Sequence, residues 1–182
     1  MEVSRSGIPY LPDDDRAGPP ELVDAIRARR PGGTLLHLDR MLLHSHELAR
    51  GWNGLLGAVR ARFELAPRLR ELAVMAIAVL NRASYEWAHH QVEFLGVGGT
   101  PEQMEALRDV AAAVKDQALF DEMERATLAL TLEMTRDVAV SDATMKRVRA
   151  LLPDRQVVEL VGTIAVYNMV SRFLAATGIE VE

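Results

Sequence analysis

Glu71-Leu72-Ala73-Val74-Met75-Ala76-Ile77-Ala78-Val79-Leu80, then Asn81-Arg82-Ala83-Ser84, then Tyr85-Glu86-Trp87-Ala88-His89-His90, is the stretch that decides the fold. A carboxylate opens a run that is apolar in every direction around a helix, and such a helix is buried on all sides. Pro67 stands where a first helical residue loses nothing by lacking an N–H. The predicted central helix therefore runs from Pro67 to about Leu80. Asn81-Arg82 marks a break, and Ser84 is predicted to cap a second helix reaching Leu95, which Gly96, Gly98 and Gly99 end. The opening of this second helix, Tyr85 to His90, carries a carboxylate, two aromatics and two histidines, so titratable groups meet the core here.

Working outward, the same signals recur on both sides. Pro9 and Pro12, with Asp13-Asp14-Asp15 and Gly18, read as an extended arm over residues 1–18. Residues 19–182 read as one helical domain. Its helices are expected from Pro19-Pro20 to Arg30, from Leu35 to His44 behind a Thr34 cap, and from His46 to Phe63 behind a Ser45 cap. Thr100-Pro101-Glu102-Gln103 is a capping box with proline at the first helical position, and Asp121 to Glu124 is a second box. Ser141 begins a short helix, and a last helix spans about Asp154 to Ala176. No strand alternation and no fixed repeat appear, so the fold class is all-α: a single-domain helical bundle.

Composition agrees. Of the 182 residues 49% are apolar but only 5% aromatic, which suits helix-on-helix packing. A net charge of −5 without a polybasic block argues against nucleic acid or an anionic membrane surface as partner. The basic run Arg27-Ala28-Arg29-Arg30 reads as a solvated helix C-terminus. With no cysteine in the sequence, disulfides, thiolate metal sites and thiol redox chemistry are excluded. No apolar run reaches the roughly 18 residues of a membrane span. The N-terminus lacks the apolar core of a signal peptide, so a cytoplasmic setting is expected.

Glu71 lies one turn inside an apolar helix. Burial would raise its pKa and a nearby cation would lower it; alternatively it faces solvent and pairs with Arg68 or Arg70. Glu86 and His90, four apart, share a helical face, either as half of an acid–base set or as a surface pair. Tyr85 is a candidate proton donor, Trp87 a pocket wall, and Arg82 a cation for a substrate carboxylate. His44 and His46 flank a helix junction, where they reach a pocket or cap helix ends. Asn168, amid an apolar helix, serves either a structural bond or a pocket. Glu86-Trp87-Ala88-His89 matches one Glu-x-x-His unit of a di-iron bundle, but no second unit exists. No metal or other cofactor is expected, although Glu71, Glu86 and His90 together could reach one mononuclear ion.

From Glu71 to His90 the chain resembles the carboxymuconolactone decarboxylase family, which includes the alkyl hydroperoxidase D-like proteins. The family pattern is Glu, Cys twelve residues on, Cys three further, and His four further. Those positions here are Glu71, Ala83, Glu86 and His90, with Tyr85 where the peroxidase branch has a relay residue. The Gly98 to Gln103 turn, the Arg40 to Ser45 segment and Tyr167-Asn168-Met169 extend the resemblance over most of the chain. Ala83 and Glu86 replace the redox pair, so a thiol peroxidase role does not carry over. The resemblance implies an all-helical homo-oligomer, a dimer or a trimer of dimers, with its site near a subunit interface. It implies Glu71 and His90 as the essential pair of a cofactor-free lyase acting on a small carboxylated lactone or related organic acid. The alternative is a non-catalytic oligomer that binds a small ligand.

Overall fold

The computed structural model of the protein describes residues 2–182, and it is all-α: no strand occurs among the described residues, only an isolated bridge between Val3 and Pro9. The helices are α1 (Pro20–Arg27), α2 (His37–Leu42), α3 (His46–Ala61), α4 (Pro67–Leu80), α5 (Ser84–Gly96), α6 (Pro101–Ala106), α7 (Val110–Ala113), α8 (Glu122–Arg136), α9 (Asp142–Leu151) and α10 (Asp154–Thr177). The chain divides into two compact units, Met1–Arg62 with Phe173–Glu182, and Phe63–Arg172.

In the second unit α4 is the central helix that its sequence requires. Leu72 through Ile77 are each fully buried, and α4 packs against both α5 and α8. Leu72, Met75 and Ala76 join Phe94, Leu107, Phe120 and Leu128 in one apolar cluster, with Trp87 packed against its edge. Each large side chain so buried contributes about 1.5–3 kcal/mol relative to exposure.

The junction from α4 to α5 departs from expectation. Ser84 is the first helical residue, and Ala83 holds the cap position without a side-chain bond. The chain leaves α4 instead through a Schellman turn: Ala83 N–H donates to Ala78 O at 2.8 Å and Arg82 N–H to Val79 O at 3.1 Å. That turn needs a left-handed residue, and Arg82 supplies it at φ 55°. For a residue with a Cβ this conformation costs about 1–2 kcal/mol. Because glycine also loses more entropy on folding, Arg82→Gly is expected to raise stability by only about 0.5–1 kcal/mol. A urea midpoint that fell would contradict this.

The end of α5 is a second Schellman turn, here with glycines. Gly99 N–H donates to Phe94 O at 2.8 Å, Gly98 N–H to Leu95 O at 3.1 Å, and Gly98 sits at φ 90°. The Thr100–Gln103 and Asp121–Glu124 boxes both form, opening α6 and α8.

In the first unit α1 and α2 pack on α3. Ser45 caps α3 as expected. Thr34 does not cap α2, because the Asp39 carboxylate accepts from Leu36 N–H at 3.0 Å and starts the helix at His37. The basic run is not a solvated helix end. Helix α1 stops at Arg27, and Arg30 forms a buried two-pronged pair with Asp39 at 2.6 and 2.8 Å. Arg27 pairs with Asp13 at 2.5 Å, and Arg29 donates to Asn53. The N-terminal segment is folded into this unit: Ser4 and Tyr10 are buried, and Arg5 N–H donates to Gly178 O.

Helix α10 is long and apolar enough to cross a membrane by length and composition alone. Its charges are spaced widely enough that counting unbroken apolar runs missed it. More than half of its most apolar window is buried inside the protein, as in a core helix.

Candidate active site

The side chains of this site belong to the second unit. Helix α4 supplies Glu71, α5 supplies Tyr85, Glu86 and His90, and α10 supplies Tyr167 and Ser171. Glu71 is 2% exposed and His90 5%. His90 Nδ1 donates to Glu71 Oε2 at 2.7 Å, and Arg70 Nε donates to Glu71 Oε1 at 2.8 Å. The Tyr167 ring meets the imidazole edge-on at 5.2 Å. Neither sequence-based reading of Glu71 holds alone. It does pair with Arg70, but it faces inward, and its second oxygen reaches a histidine nineteen positions along the chain.

Burial pushes the Glu71 carboxyl up, but the bond and charge of His90, helped by Arg70, outweigh it and hold the group below its ordinary 4.5. Glu71 is thus a carboxylate at neutral pH and a poor proton donor. Its chemical use is to fix the imidazole with Nδ1 protonated, which leaves proton traffic to Nε2. A carboxylate depressed in the folded state contributes stability in full above the unfolded value of 4.5, and loses it as pH falls through the lower folded value. The wild type is therefore expected to lose more stability than Glu71→Gln between pH 7 and the acid range below 4.5. Parallel pH profiles of the two urea midpoints would contradict it.

Glu86 is 2% exposed and accepts a very short bond from Ser171 Oγ, which also lies within bonding distance of Tyr167 O at 3.1 Å. Two carboxylates and one imidazole thus reach the interior from two helices. Tyr85 is buried with its ring 4.2 Å from that of His89. Among the described residues no three histidine, aspartate or glutamate side chains gather as a metal-holding group.

Other residues expected at the site have different work. Asn168 Nδ2 donates to Thr135 Oγ1 and Ile164 O, both at 3.0 Å, while Oδ1 accepts from Asn81 at 3.1 Å and Arg172 at 2.9 Å. An amide side chain has about four bonding directions, and all are used. Asn168 is therefore a structural clasp between α10, α8 and the end of α4, not a substrate group. His44 is exposed in the first unit, with its Nε2 bonded to Pro9 O at 2.7 Å. Trp87 is half-buried beneath the Arg108 guanidinium, 3.8 Å above its ring. Arg82 is exposed beside a cavity of about 380 Å³.

Sequence reasoning missed Ser171 and named Arg70 only as a surface partner of Glu71. The four-residue step from Tyr167 to Ser171 on one helix face was available as a signal. For Arg70 the adjacency to Glu71 was seen, but not that it would serve a buried carboxylate.

Residues 46–132 match the family model described as the Carboxymuconolactone decarboxylase family. Among curated proteins none matches the sequence significantly. A peroxidase-related protein from Silicibacter sp. TM1040 is 18% identical, with a TM-score of 0.80 over 100% of this chain and 95% of its own. The debrominase Bmp8 in complex with 2,3,4-tribromopyrrole is 17% identical, with a TM-score of 0.82 over 98% and 94% of the two chains. An alkylhydroperoxidase AhpD core protein from Ralstonia eutropha JMP134 is 17% identical, with a TM-score of 0.81 over 100% and 94%. At these identities the likeness is one of fold.

Proposed function

The chain belongs, through residues 46–132, to the carboxymuconolactone decarboxylase family, and from this premise we propose that it is a cofactor-free acid–base enzyme, a lyase that removes CO2 from a small carboxylated lactone or related organic acid. The carrying observation is the buried Glu71–His90 pair at 2.7 Å. A carboxylate that fixes Nδ1–H and favours the imidazolium prepares Nε2–H to act on a substrate.

Departure of CO2 leaves its bonding pair on the substrate as a dienolate. The imidazolium stabilises that charge and delivers the Nε2 proton to the carbon, and neutral His90 regains a proton from water. Glu71 is a positioning residue in this scheme: it holds the ring and lowers the energy of its cation. Glu86 is the second carboxylate, set to turn the substrate by charge, with Tyr85 and Trp87 on the same helix. Thiol peroxide reduction is not open to this chain, which has no cysteine. The complex of Bmp8 with a small halogenated ring supports a small cyclic ligand for this fold.

The test is CO2 release from γ-carboxymuconolactone and a panel of β-keto acids. Wild type is expected to turn over one of them. His90→Ala should lower kcat about 10²-fold or more, as loss of a general acid does. Glu71→Gln should shift the pH–rate profile of His90 rather than abolish turnover. Release that survived His90→Ala would end this assignment.

A non-catalytic ligand-binding oligomer is the second reading, favoured by how little of Glu71, Glu86 and His90 is exposed. Complete absence of turnover on the panel would select it. Either reading proposes a cytoplasmic homo-oligomer, a dimer or trimer of dimers. Outward apolar residues such as Val92 and Val158, 68% and 70% exposed, support that assembly, and light scattering after gel filtration tests it.

A further inference from the structure

The cavity of about 380 Å³ in the second unit lies at the end of α4 away from Glu71. Val79, in its wall, stands about 12 Å along the helix axis from Glu71. Its lining is Val79, Leu80 and Val110 on the apolar side, with Arg82, Arg108, Arg136 and Asp109 around them. Asp109 is the one carboxylate of the lining, and its Oδ1 accepts from Ala112 N–H at 3.0 Å. None of the three arginines makes a side-chain hydrogen bond or ion pair among the described residues. Elsewhere in this chain arginines such as Arg30, Arg68 and Arg147 are paired with carboxylates. Three exposed guanidiniums, with Asp109 the single carboxylate beside them, give this cleft a net positive face in a chain of net charge −5.

Two of these cations have further distinguishing geometry. Arg108 lies over Trp87 with its central carbon 3.8 Å from the ring, a stack that fixes the guanidinium plane and keeps its edge for a ligand. Arg82 occupies the left-handed turn position at φ 55°, where glycine would fit without strain. An arginine there carries the conformational cost of the turn that ends α4.

We propose that this cavity is a second binding site, separate from the Glu71–His90 pair, for a small organic dianion carrying two carboxylates on a short carbon skeleton. The guanidinium edges match carboxylates two bonds at a time. Val79, Leu80 and Val110 receive the hydrocarbon portion, and the volume suits such a molecule better than an inorganic anion. The inference does not depend on the decarboxylase reading.

The test is isothermal titration of the full chain with adipate, and separately with inorganic phosphate. One adipate per chain is expected, with phosphate at least about tenfold weaker because it leaves the apolar wall unused. Arg108→Gln and Arg136→Gln should each raise the Kd about tenfold. Arg82→Gly should weaken binding similarly while its urea midpoint rises, which separates lost binding from lost folding. His90→Ala should leave adipate binding unchanged. Absence of saturable adipate binding, equal affinity for phosphate, indifference to the arginine substitutions, or loss in His90→Ala would each overturn the proposal.

Discussion

Replacing Glu71 by alanine is expected to destabilise the protein by about 3–5 kcal/mol at neutral pH, the cost of leaving a buried ion pair with one partner. The substitution strips His90 of its acceptor at 2.7 Å and Arg70 of its acceptor at 2.8 Å. Both bonds are charge-assisted, and the Glu71 and His90 side chains are only 3% and 6% exposed, so water cannot take over. The imidazole must then lose its proton or stay charged without this carboxylate. For that reason the double variant with His90→Ala should be less destabilised than the sum of the two single ones. A coupling of about 1–3 kcal/mol in a urea double-mutant cycle is the expected reading. A single-variant loss under about 0.5 kcal/mol would mean that the carboxylate is solvated, as a surface pair would be.

Gly99→Ala is expected to be the other severe change, at about 3 kcal/mol or somewhat more, because the site is already overfilled. A Cβ there would lie 2.3 Å from Phe94 Cδ1 and 2.6 Å from the Phe94 carbonyl oxygen. The ring is fully buried in the cluster of Leu72, Met75 and Leu128, so it has nowhere to turn. The carbonyl is held by Gly99 N–H itself at 2.8 Å, so the backbone cannot retreat without opening the turn. The neighbouring Gly98→Ala meets no atom within 4 Å, yet must adopt φ 90°. Its penalty is conformational only, about 1–2 kcal/mol. Urea midpoints should therefore rank the two adjacent glycines with Gly99 the more sensitive. The reverse order would show that backbone strain, not Phe94, governs the turn.

The candidate site was legible in parts, for identifiable reasons. The apolar run after Glu71 is periodic enough to announce a central helix, and the Thr100 and Asp121 boxes announce their own helix starts. The partner of His90 was not legible in the same way. Helical spacing offered Glu86, four residues back, whereas Nδ1 bonds Glu71, on a different helix. Asn168 looked equally fit for a pocket or a clasp until its four partners were seen. The basic run at Arg27 to Arg30 looked solvated because Asp39 and Asp13 are remote in the chain.

The sequence by itself determined that this protein is all-helical, that α4 lies at the centre of its unit, and that chemistry resting on cysteine is absent. These follow from local periodicity, capping chemistry and composition, which act over a few residues. Only the tertiary structure decided which carboxylate holds His90, that Glu71 stays ionised although buried, and that Arg82, Arg108 and Arg136 share one cavity. Each of those depends on distances between segments far apart in the chain, and no local preference encodes such distances.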